Sequence, residues 1–248
     1  MSATKLPRGG AIRSSVPVLS DQDRLRKLQH IGLAAFALLF LKVLLSILYE
    51  YRWYFPANFE AAFLIGREDV FVGLYRVAFY VHIVSSPVAL VCGAFLMTSG
   101  GNRRFRHLHR YVGRIQILMV ILAVAPSGFV MALWAHTGTV AAIGFVCLSV
   151  GTATTATFTV VQAFRKQFRS HQQWATRLFI LLASPLLLRL ITGAVIVTRA
   201  ESELSYQLTA WLSWLAPLVI YELWLVKSNH KRSFPAPRQT RSLEGALP

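Results

Sequence analysis

FVGLYRVAFYVHIVSSPVALVCGAFLMT, residues 71–98, decides the fold. It holds one arginine, one histidine and no acid, and a bilayer core of about 30 Å takes roughly 20 helical residues. A run of this length and apolarity predicts a helix that crosses a membrane. Five further stretches meet the same test, at 31–50, 113–134, 139–162, 177–198 and 206–226. The whole chain is 55% hydrophobic and only 15% charged, outside the range of soluble domains. The expectation is an all-α integral membrane bundle of six transmembrane helices. The first span follows a 30-residue polar leader and no small-x-small cleavage site follows it, so it reads as a retained span rather than a cleaved signal.

Charge supplies the orientation. If the six spans are right, segments 1–30, 99–112, 163–176 and 227–248 share one side. Together with Arg114 and Arg177 at the helix mouths they carry 20 of the 26 Lys and Arg. The other side holds only Arg52, Arg67 and Arg199, with the acids Glu50, Glu60, Glu68, Asp69, Glu201 and Glu203 on or beside it. Excess Lys and Arg marks the cytoplasmic face, which predicts both termini inside a cell (inner) membrane. The net charge of +16 is spread over short segments between apolar runs and forms no single face, so it indicates topology and not nucleic acid.

Three regions follow. Residues 1–30 form a basic leader with Pro, Gly and Ser and too few apolar residues to fold alone, although its end, from about Ser20, extends the first helix on an N-cap-like start. Residues 31–226 form the transmembrane domain, and 227–248 a basic, proline-containing tail. Both termini are expected to be disordered at the membrane surface, where anionic lipid attracts roughly 1 kcal/mol per basic residue. The fourth span carries CLSVGTATTATFTVV, whose small and hydroxylated residues let backbones approach closely, and it is expected to be the most enclosed helix. Prolines 87, 126, 185 and 217 sit inside spans two, three, five and six and invite kinks. Trp53, Trp134, Trp211 and Trp214 suit an outer aromatic belt, Trp174 and Trp224 an inner one.

Ionisable groups within hydrocarbon are costly and usually face a protein interior or a watery cavity. Lys42, Arg76, His82 and Arg189 are the candidates. Lys42 lies near enough to the boundary to snorkel; His82 and Arg189 lie deeper, with no acid expected at their depth. A second constellation stands at the cytoplasmic mouths. Arg106-x-x-His109-Arg110-x-x-Gly113-Arg114 opens the third span and His171-x-x-Trp174-x-x-Arg177 the fifth. If those spans are neighbours, His109 and His171 reach one depth, as bis-imidazole ligation of a haem iron requires, and Arg110 and Arg177 suit haem propionates, a quinol head group or lipid phosphate. His171 and Arg189 are 18 residues apart, five helical turns, so they project from one face, with Trp174, Leu178, Leu182 and Pro185 near the same line.

The run Tyr80–Val197, carrying His82, the HR-x-x-G-R and H-x-x-W-x-x-R pieces and Arg189, resembles a family of bacterial predicted multi-pass membrane proteins known only as a domain of unknown function. The resemblance covers about half the chain and implies no activity. More distantly, core helices with histidines near their ends are similar to the di-haem cytochrome b type reductases, which implies haem b and bis-His iron ligation. Span four has no histidine and His136 lies in the loop before it, so the comparison leaves one such site, His109 with His171.

Two readings result. One is a redox protein with a b-type haem or quinol site at His109 and His171, flanked by Arg110 and Arg177, with His82 as proton relay or ligand of a second site, and with a separate soluble or membrane redox partner. The other is a binding or transport bundle in which Arg189, Arg76 and His82, with Trp174, take a small anion or lipid. No G-x-S-x-G, H-E-x-x-H or P-loop stands in the sequence, which disfavours hydrolysis, and whether the chain is an enzyme stays open.

Overall fold

The computed structural model describes residues 21–61, 63–135 and 138–233. Residues 1–20, most of the expected leader, lie outside these, as do His136 and residues 234–248 of the tail. The described chain is helical apart from its connections, with one isolated bridge between Tyr54 and Ala57 and no strand. Among the described residues, six helices are long and apolar enough to cross a membrane, and they coincide with the six expected stretches.

The helices are α1 (Asp21–Glu50), α2 (Gly73–Ser99), α3 (Arg106–Met119), α4 (Ala125–Ala132), α5 (Gly138–Phe164), α6 (Phe168–Val197) and α7 (Glu203–Ser233). The third span consists of α3 and α4 joined in line by a π-helical stretch, Val120–Val124. The cause stands in the sequence. Pro126 has no N–H and its ring crowds the carbonyl four residues back, so the turn ahead of it widens. Helix α7 runs through residues 227–233, beyond the expected end of the last span.

The chain divides into two compact units, up to Lys42 and from Val43 onward. In the first, residues 21–42 are helical, with Leu28, Ile31, Leu38, Leu39 and Leu41 exposed, as suits a helix bathed in lipid. In the second, α2 packs on α3, α4 and α6, and α5 packs on α4, α6 and α7. Small residues set the separations. A Cβ on Gly144 would lie 3.0 Å from the Trp211 indole, whose Nε1 donates to the Val140 carbonyl. Span four is as enclosed as spans two and three but no more so, because its Val150, Thr154 and Thr157 face outward. Trp214 departs from the expected belt: it is buried, since α7 turns this face into the bundle.

Alternate ends of the bundle differ. The short connections 100–105 and 165–167 lie at one end, here the basic end. The opposite, acidic end is roofed by residues 51–72, where Tyr54, Leu64, Phe71, Tyr75, Phe79 and Ile83 form a buried cluster with edge-on ring pairs such as Tyr54–Phe79 and Phe71–Phe79. Edge-to-face contacts add about 0.5–1.5 kcal/mol each beyond the area buried, so this connection is a packed cap and not a loose loop.

Candidate functional site

The basic end brings both mouth histidines to one level. A Cβ on Gly93 of α2 would lie 2.8 Å from Gln116 Nε2 of α3 and 3.0 Å from the Phe179 ring of α6, so a side chain from each of these helices packs on this glycine. His109 precedes Gln116 by seven residues and His171 precedes Phe179 by eight, each about two turns toward the basic end. His109 and His171 lie within electrostatic reach of each other. Each ring is held through Nδ1. His171 Nδ1 is 2.8 Å from the Thr159 carbonyl, which only accepts, so that nitrogen donates and Nε2 is the one left without a hydrogen-bond partner among the described residues. His109 Nδ1 is 3.0 Å from Ser99 Oγ at the end of α2. Arg110 is exposed beside it.

Trp174 and Arg177, one turn further along α6, form a bracket. The Arg177 Nε and Nη2 donate to both carboxylate oxygens of Glu222 on α7, at 2.6 and 2.9 Å. The guanidinium lies 4.6 Å from the Trp174 ring centroid, and Trp174 stacks on Phe158 of α5. The anion that Arg177 holds here is Glu222, a bidentate pair tying α6 to α7.

His82 sits where α2, α4 and α5 meet. Its Nδ1 lies 3.2 Å from the Val124 carbonyl and 3.0 Å from Ser127 Oγ. Gly128 permits the approach: a Cβ there would come within 3.1 Å of His82 Cε1 and 3.0 Å of Ser149 Oγ. The π-helical stretch therefore turns its last carbonyl onto the one imidazole in the middle of a span.

Arg189 corrects an expectation. Its Nη2 is 2.9 Å from Glu50 Oε2, in an ion pair with the last residue of α1. Tyr54 lies against the same carboxylate, and burial raises its phenol above the usual value, the Glu50 charge adding to that. The pair was hidden because 139 residues separate its members and Glu50 reads as a boundary charge. Arg76 on α2 and Lys42 on α1 are both exposed. Pro185 is exposed, whereas Leu178 and Leu182 on the same face are buried.

A residue the sequence does not single out is Arg67, buried in the cap. It donates to Tyr75 Oη at 2.8 Å and lies 4.3 Å from the Phe63 ring centroid. No carboxylate pairs with it among the described residues. Its position in a connection made it look like an ordinary loop charge, and no local pattern marks it otherwise.

A family model described as a predicted membrane protein, DUF2306, matches residues 79–225, the five spans from α2 to α7. No curated protein and no solved structure matches the chain.

Proposed function

We propose that this chain, which belongs to the DUF2306 family of predicted membrane proteins, is a redox protein holding a b-type haem between His109 and His171. The observation that carries the reading is the shared Nδ1 anchoring. A ligating imidazole needs one nitrogen fixed to an outer partner and the other bare, and Thr159 and Ser99 supply the outer partners. The donor set fits the group: two imidazoles from two helices that both pack on a third, α2.

Haem bound there would supply one-electron transfer. The chain's own residues do the rest. Thr159 fixes the tautomer and azimuth of His171. Ser99 holds His109 against Gly100, where a Cβ would lie 3.6 Å from its Cε1. Arg110 offers a charge to propionates, and the Arg177–Glu222 pair keeps α6 from rotating His171 away. With the basic end on the cytoplasmic side of the inner membrane, the site faces a soluble or membrane partner, and the surrounding arginines take anionic lipid.

The competing anion or lipid reading loses its main support, because Arg189 is paired with Glu50 and Arg76 is exposed. The test is the visible spectrum of protein purified from haem-replete cells, oxidised and dithionite-reduced. A reduced b-type band absent from both His109→Ala and His171→Ala is the expected result. A colourless wild-type protein defeats the reading.

A further inference from the structure

We propose that His82 is a binding site for a lipid-soluble hydroquinone, with Nε2 accepting a hydrogen bond from the ring hydroxyl. The tautomer follows from the acceptors at Nδ1. The Val124 carbonyl cannot donate, and Ser127 already gives its hydroxyl proton to the Ala123 carbonyl, so its oxygen accepts from the ring. Nδ1 therefore carries the proton. Nε2 is left as a bare acceptor in the middle of a span, and no described residue donates to it.

An acceptor at this depth requires a donor, and water is scarce in hydrocarbon. The donor must reach it through lipid. His82 is half-buried, so the residue is not wholly enclosed by the described helices. The surroundings suit a flat, weakly polar ring. Gly128 brings the α4 backbone close against the imidazole edge, with Ser149 Oγ beside it, while on α2 the turn before His82 gives apolar Ala78 and Phe79 and the turn after it gives Ser85, which donates to the Val81 carbonyl, and Ser86, whose buried hydroxyl has no partner among the described residues. An iron is the weaker fit, because no second histidine among the described residues faces His82 and α5 contains none. The inference deepens the redox reading by naming the membrane-soluble class that this protein would exchange electrons with, and it rests on that reading for its meaning. Its binding test stands apart.

The probe is duroquinol, with its dimethyl ether, which lacks the donors, as control. Anaerobic equilibrium retention is measured in nanodiscs holding the full-length protein and in empty ones, and the visible spectrum is recorded on the same samples. Wild type should retain duroquinol in excess of empty nanodiscs, with no excess of the diether. His82→Asn places its amide where Nδ1 was, keeps the bond to Val124 and deletes the acceptor; retention should fall at least tenfold. His82→Gln places an amide oxygen near the Nε2 position and should recover part of it. Equal retention by wild type and His82→Asn, or equal excess of the diether, overturns the proposal. So does a haem band that His82→Asn removes, which would make Nε2 an iron ligand. A colourless protein that still retains duroquinol through His82 would defeat the haem reading and leave this site standing.

Discussion

Glu50 and Arg189 show what a single residue does at the edge of the bundle. Each side chain is about one-third exposed, so the pair is partly screened, yet removing one partner leaves the other charge against tyrosines and apolar helix faces. Glu50→Gln should lower stability by about 1–3 kcal/mol, the usual worth of a hydrogen bond to a charged group. The double variant Glu50→Gln, Arg189→Gln should recover most of that loss, since neither charge is then stranded. Thermal unfolding in detergent of the two single variants and the double gives the coupling; additive losses would show that the two side chains do not act as a pair. Gly93 makes a second case. Gly93→Ala drives a Cβ against the Phe179 ring, which is less able to give than the Gln116 amide, and overpacking of this kind costs about 1–3 kcal/mol. Because Gly93 sets how closely α3 and α6 each pack on α2, the same variant should weaken the reduced haem band as well as the unfolding midpoint, whereas Gly101→Ala, open to space, should change neither.

At the scale of elements, the apolar runs made all six spans legible, because lipid leaves a helix no alternative way to satisfy its backbone. The π-helical stretch was legible only as an invitation to kink at Pro126; that the widened turn would present a carbonyl to His82 depends on α2 lying alongside, which no local pattern encodes. The H-x-x-W-x-x-R piece was legible as a motif, but its Arg meets Glu222, 45 residues on, and only the packing of α6 on α7 reveals it. Span periodicity gives faces and depths, not partners. The Arg177–Glu222 latch carries a prediction of its own. Lysine cannot reproduce the fork that binds both carboxylate oxygens or the stack on Trp174. Arg177→Lys should therefore destabilise by about 1–2 kcal/mol while leaving net charge unchanged, read as a lower unfolding midpoint. An unchanged midpoint would mean that the latch contributes nothing beyond charge.

For the whole molecule, the remaining question is which end faces the cytoplasm, since the helices by themselves have no preferred side. Lys and Arg alone distinguish the two ends: the connections 100–105 and 165–167 are rich in them, while the acidic end carries few. The rule counts basic residues in short loops near span ends, which is where these lie. The two cysteines, Cys92 and Cys147, are unpaired, so a cysteine-free background, Cys92→Ala with Cys147→Ala, allows single reporters to be placed. Glu201→Cys at the acidic end and Asn102→Cys at the basic end are both exposed positions outside the proposed sites. A membrane-impermeant maleimide applied to intact cells with a permeabilised outer envelope should label the Glu201→Cys protein and spare Asn102→Cys, and inside-out vesicles should reverse the pattern. The consequence reaches the site chemistry. If Asn102→Cys labels from outside, His109 and His171 face away from the cytoplasm, and any partner that exchanges electrons with them must be sought on the other side of the membrane.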